Sequence, residues 1–126
     1  MKVTQRTALS LAATVLLLTP PAHAHHSWSA NYDLSQSKEI IGTVSRVKFQ
    51  SPHTAIVISV ETADGRRERW TVEWGSPHRL RERGVTETTI RPGDLVFVSG
   101  NPHRNPSTRS LHLQSLRRVS DGLELA

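Results

Sequence analysis

Polar and apolar positions alternate through most of this chain, and the alternation changes period once. Residues Glu39 to Phe49 are rich in β-branched side chains and predict a long first strand, with Gly42 marking a bulge or bend. Ser51-Pro52-His53 breaks it. Thr54 to Glu61 follows as a second strand with Ile56, Ile58 and Val60 on one face. Ala63-Asp64-Gly65-Arg66 is a hairpin signal, since Asp-Gly accepts the positive φ of a tight turn. The third strand runs from Arg67 to Trp74. Its Trp70, Val72 and Trp74 share one face, and Arg67, Arg69, Thr71 and Glu73 the other.

The period then shifts. Ser76 and Pro77 have the chemistry of a helix cap and first turn, His78 to Arg83 forms a short helix, and Gly84 stops it. Thr86 to Ile90 is a further short turn. Pro92-Gly93-Asp94 turns the chain into a fourth strand, Leu95 to Ser99. A loop spans Gly100 to Ser110, a fifth strand Leu111 to Val119, and Ser120-Asp121-Gly122 leads to a short tail. Three strands, a helix and two strands predict a mainly β fold, a small five-stranded OB-like barrel with one short helix between strands 3 and 4. A small open sheet or sandwich with one helix is the competing architecture. Residues 25–38, polar apart from Trp28 and Tyr32, read as an extended N-terminal arm, and 39–126 as the barrel domain.

The first 24 residues differ in kind. Lys2 and Arg6 precede an apolar run of 11 residues, Ala8 to Leu18, then Thr19-Pro20-Pro21 and the small-residue pair Ala22 and Ala24. This is the pattern of a secretory signal cleaved after Ala24. The run is too short for a spanning helix, which needs about 20 residues. Removal would leave 102 residues beginning at His25 and no membrane span. The expected location is the bacterial periplasm or the medium. The absence of cysteine means that no disulfide supports the fold. The mature chain carries 14 basic and 11 acidic groups, a mild net charge of +3. That falls short of the dense basic stripe of a nucleic-acid binder, so no nucleic-acid partner is expected.

No hydrolase, transferase or thiol constellation is present, and no glycine loop cradles a phosphate. The chain is therefore read as a binding protein and not as an enzyme. The histidines remain. Cleavage after Ala24 would free the α-amine of His25, which can chelate a metal together with its own ring nitrogen. His26 adds a second imidazole. A third nitrogen from the fold would complete a site suited to copper. This arrangement resembles the histidine brace of copper monooxygenases and the N-terminal histidine of some periplasmic copper carriers. His53 is the first choice for the third ligand and His78 the second, because strands one and three run toward the same end. His103 follows a strand running the other way. His103 and His112 read as solvent-exposed loop and outer-face residues. A non-metal alternative is an envelope scaffold that holds a small ligand or partner protein on a stacking surface of Trp70 and Trp74, although such a pair is more often core.

Ala24-His25-His26-Ser27-Trp28, Gly42-Thr43-Val44, Pro52-His53, Trp70-Thr71-Val72-Glu73, Gly75-Ser76-Pro77 and Pro92-Gly93-Asp94 together resemble a family of small exported bacterial proteins of uncharacterised function. The pattern there is Ala-His-His-Ser-Phe, Asn-Pro-His, Trp-x-x-Glu and Pro-Gly-Asp. Trp28 and Ser51 depart from it, and His78 stands where another polar residue is common. The resemblance implies a periplasmic protein and brings no catalytic residues.

Overall fold

The computed structural model describes residues 27–126. The expected secretory segment, and His25 and His26 after it, lie outside the described residues. The elements are α1 (Trp28–Asn31), β1 (Lys38–Lys48), β2 (Ala55–Glu61), β3 (Arg67–Glu73), α2 (Pro77–Glu82), β4 (Leu95–Pro102), β5 (Ser110–Arg118) and β6 (Glu124–Leu125). The sheet order is β3-β2-β1-β4-β5-β6, and β3 also pairs in parallel with β5. That pairing closes a five-strand barrel of OB type, with α2 between β3 and β4 as the sequence predicts.

Alternation builds the interior. Ile56 and Ile58 from β2, Val72 from β3, Val96 and Val98 from β4, and Leu111 and Leu116 from β5 are all buried. Leu80, Val85 and Ile90 join them from the β3–β4 connection. The Ser76 hydroxyl accepts from Arg79 N and caps α2, with Pro77 in its first turn. Gly65 and Gly84 both take positive φ, at 79° and 78°, where the hairpin and helix stop require it.

Several sequence expectations are corrected. The β1 bulge falls between Val44 and Arg46, not at Gly42. Gly42 is instead a close-approach position, because a Cβ there would overlap the Ser59 carbonyl oxygen of β2. β4 does not end at Ser99. It runs on to Pro102, since Gly100 sits at a bulge where a Cβ would lie 2.6 Å from the His112 carbonyl oxygen. Gly-Asn-Pro reads locally as a loop, and the close contact with β5 decides otherwise. The tail forms β6, which pairs Leu125 with Leu116. The N-terminal arm is not extended: α1 is a single helical turn, with Tyr32 N donating to Trp28 O at 2.8 Å.

Thr54, just before β2, is buried, and its Oγ1 has no hydrogen-bond partner among the described residues. Its backbone is already satisfied by Gly75 O and Trp74 N. Thr54→Val keeps the shape and removes the orphaned hydroxyl. It is expected to raise stability by about 1 kcal/mol in urea unfolding; a loss of similar size would show that the hydroxyl is satisfied in solution.

Candidate functional site

The helical turn of α1 puts Trp28 and Tyr32 on one face, four residues apart. The backbone then fastens the arm to the end of β4. Asp33 N donates to Pro102 O at 2.9 Å, Arg104 N to Asn31 O at 2.8 Å, and Tyr32 bridges to His103. This docking lays the arm across the outside of the barrel at the β3–β5 seam.

The Trp28 ring lies 4.2 Å from the His53 ring and 4.1 Å from the His112 ring, centroid to centroid. The His112 contact is stacked, with 24° between the planes. His53 arrives from the β1–β2 loop. His112 faces outward between buried Leu111 and Leu113, and the β3–β5 register sets it beside Glu73. The Tyr32 phenol, buried under the arm, donates to Glu73 Oε2 at 2.8 Å. It has one hydrogen to give, so the Ser110 hydroxyl, also at 2.8 Å, donates to it. Burial is the main reason that the Tyr32 phenol titrates above its usual range, with Glu73 adding to the shift. It therefore stays protonated at neutral pH.

Asn101 determines which His112 nitrogen is free. Its Nδ2 donates to Gln36 O at 2.8 Å, which turns Oδ1 toward His112 Nδ1 at 3.3 Å. That oxygen can only accept, so Nδ1 carries the proton and Nε2 keeps its lone pair. Burial pushes the His112 imidazole below its ordinary value; Glu73 opposes the shift and His53 adds to it. A neutral imidazole with an oriented tautomer is ready to act as a ligand.

The sign of the shift determines a pH effect. With the folded-state value depressed, the unfolded chain takes up a proton first, and stability falls as pH drops through 6.5. Wild type is therefore expected to lose more melting temperature between pH 7.5 and pH 5.5 than His112→Gln. Equal losses would rule out His112 as the cause.

The sequence-predicted residues fare differently. His53 stands in the cluster. His78 does not: its side chain is 85% exposed on α2, where Nε2 lies 3.3 Å from Glu82 Oε1. Trp74 is 5% exposed and part of the core, so its ring offers no stacking surface. Trp70 is half-buried and packs against that core, with Lys38 Nζ 5.3 Å from its ring centroid. His103 is not remote, since its ring meets Tyr32 edge-on at 5.5 Å. The stagger of the strands brings the end of β4 to this seam. His112 is not the solvent-exposed outer-face residue that its alternation predicts, because the arm covers it. The available signal was two aromatic residues, Trp28 and Tyr32, in an otherwise polar arm. Among the described residues, no three His, Asp or Glu side chains could together hold a metal ion. No helix among them is long and apolar enough to cross a membrane.

The fold and site define a closed OB-type barrel with an N-terminal arm docked on its outer face. Solved structures with the same fold include the mitochondrial single-stranded DNA binding protein Rim1 from S. cerevisiae. One crystal form matches with a TM-score of 0.52 and 16% identity over 70% of this chain and 97% of that one. Another gives 0.51 and 14% over 67% and 93%. At such identities the likeness concerns the fold alone. The chain itself belongs to the DUF6152 family, a family of unknown function, whose model matches residues 13–112. No curated protein matches it.

Proposed function

We propose that this protein is an exported binding protein of the bacterial envelope that holds a transition metal, copper, through its mature N-terminus. The α-amine and imidazole of His25, with His26, form the chelating end, and His53 supplies a nitrogen from the barrel. His112, which reads from sequence alone as a solvent-exposed outer-face residue, is a second barrel donor through its free Nε2.

One observation carries this reading: Trp28, two residues after His26, rests on the rings of both His53 and His112. Covalent geometry then keeps the His25 Cα within about 11 Å of the Trp28 Cα. A terminus tethered to the docked arm would thus have the two imidazoles within reach at little further ordering cost. Nitrogen donors of this kind favour copper among the divalent ions of the first transition row. The Glu73 carboxylate beside His112 favours a bound cation. Tyr32 holds that carboxylate in place, which leaves the imidazoles as the free donors.

The test is Cu(II) titration at neutral pH of three proteins: the chain beginning at His25, the same chain with one extra N-terminal residue, and His53→Ala. Both changes are expected to weaken binding at least about tenfold. Equal affinity in the extended protein would remove the terminal amine from the site. N-terminal sequencing of the exported protein checks the cleavage point.

A further inference from the structure

Outside that cluster, the outward faces of β1 and β3, on either side of β2, collect positive charge. The registers pair Lys48 with Ala55, Arg46 with Val57, Ser59 with Arg69 and Glu61 with Arg67. Lys48, Arg46, Arg69 and Arg67 therefore follow one another along the outside of the sheet. From the level of Ala55 to that of Glu61 the track is on the order of 20 Å, at about 3.3 Å per residue.

This face is hollowed as well as charged. A depression of about 400 Å³ is lined by Ser45, Arg46, Lys48, Val57, Arg69 and Thr71, with no carboxylate among them. A second, of about 190 Å³, shares Ser45 and Arg69 with it and adds Ser59, Arg67 and Glu68. Glu68 is already engaged by Arg109 at 3.3 Å and by the Trp70 indole N–H at 3.1 Å. Among the described residues, Arg46, Lys48, Arg67 and Arg69 form no ion pair with any carboxylate. Four like charges on β1 and β3, the two strands that flank β2, repel one another, and an anionic ligand would relieve that repulsion.

We infer that the outer face of β1–β3 binds a linear polyanion whose carboxylate or phosphate groups sit on a backbone without aromatic bases, such as an acidic polysaccharide. The length of the track calls for several charges in line, since a single small anion would meet only one hollow. Ser59 and Thr71 offer hydroxyls to the ligand's oxygens between the cationic groups, whereas the Ser45 hydroxyl already donates to Val57 O at 3.1 Å. No aromatic ring lines either hollow, so the stacking that holds single-stranded nucleic acids is missing. The track leads toward Glu73, two residues beyond Thr71 on the same face of β3, and so toward the docked arm.

The experiment measures binding of a fluorescent octamer of galacturonic acid by anisotropy as salt is varied. Inorganic polyphosphate, an oligothymidylate of equal charge and phosphatidylglycerol vesicles serve as competitors. Four contacts are expected to give a salt slope of about 3 in log–log form. Arg46→Gln with Arg69→Gln is expected to weaken binding at least about tenfold and to lower the slope by about 1.5. Arg79→Gln with Arg83→Gln removes two charges from α2 and its cap, and is expected to change affinity less than about twofold. Competition by polyphosphate alone would assign the site to phosphate polymers within the same ligand class. Three outcomes would overturn the inference: unchanged binding in the β1–β3 double variant, an equal loss in the α2 variant, or tighter binding of the oligothymidylate or the vesicles.

Discussion

Tyr32→Ala is expected to cost about 4 kcal/mol and to release the N-terminal arm from the barrel. Tyr32 is 2% exposed although it lies in a segment whose other residues are mostly polar. Its ring meets Trp28 at 5.9 Å and His103 at 5.5 Å, and its hydroxyl joins Glu73 to Ser110. Alanine would leave a cavity under the arm and strip Glu73 of its phenolic donor, so transfer and hydrogen-bond losses act together. Tyr32→Phe separates them, because it keeps the ring and removes only the hydroxyl; about 1–2 kcal/mol is expected. The two variants also differ from wild type in alkali. The Tyr32 phenol titrates above its usual value, so wild type gives up stability as pH rises past 10, whereas the phenylalanine variant has no such group to titrate. Urea unfolding at pH 7 and above pH 10 reads both effects. A cost below about 1 kcal/mol for Tyr32→Ala at pH 7 would mean that the arm is not held by this residue.

Gly42→Ala is expected to destabilise the barrel by about 3 kcal/mol, a large effect for one methyl group. Gly42 lies in β1 opposite Val96 of β4, with Ser59 and Ile58 of β2 on its other side. A Cβ would overlap the Ser59 carbonyl oxygen and come within 2.7 Å of Ile58 Cγ2. The carbonyl is backbone, and β1 is paired on both edges, so relief requires moving a strand. Gly75→Ala is the control. Its Cβ would meet only Leu80, at 3.7 Å, and its φ is not positive. That change is expected to be neutral or to stabilise by a few tenths of a kcal/mol through the unfolded chain. Thermal melts of the two variants give the comparison, and equal losses would refute the close-approach explanation for Gly42.

Much of this molecule is legible along the chain because its signals are local. Asp64-Gly65 can turn a hairpin whatever surrounds it. Ser76-Pro77 starts a helix from its own chemistry, and alternation through Ile56 and Ile58 marks a strand with one buried face. These features place five strands and a helix in order, and the order suffices to suggest the barrel. The errors fall where a neighbour outweighs the local pattern. Gly100-Asn101-Pro102 has loop composition, yet it continues β4 because β5 needs the glycine's bare Cα to approach. Gly42 suggests a bulge or bend, but a strand gains a glycine for close contact as readily as for either.

The candidate site divides the same way. Sequence alone determined that a histidine pair sits at the expected cleavage point, that Pro52-His53 ends the first strand, and that Trp28 and Tyr32 are the arm's two large apolar groups. It also set which β3 residues face outward, and so supplied the charges of Arg67 and Arg69. Only the tertiary structure decided that β3 closes onto β5, which sets Glu73 beside His112. Closure likewise decided that the arm covers this seam, and the β1–β2 and β2–β3 registers decided that Arg46 and Lys48 line up with Arg69. The physical reason is that a period of two specifies the face a side chain occupies but not the strand beside it. Register and stagger around a closed barrel choose that neighbour, and both arise from the packing of residues far apart in the chain.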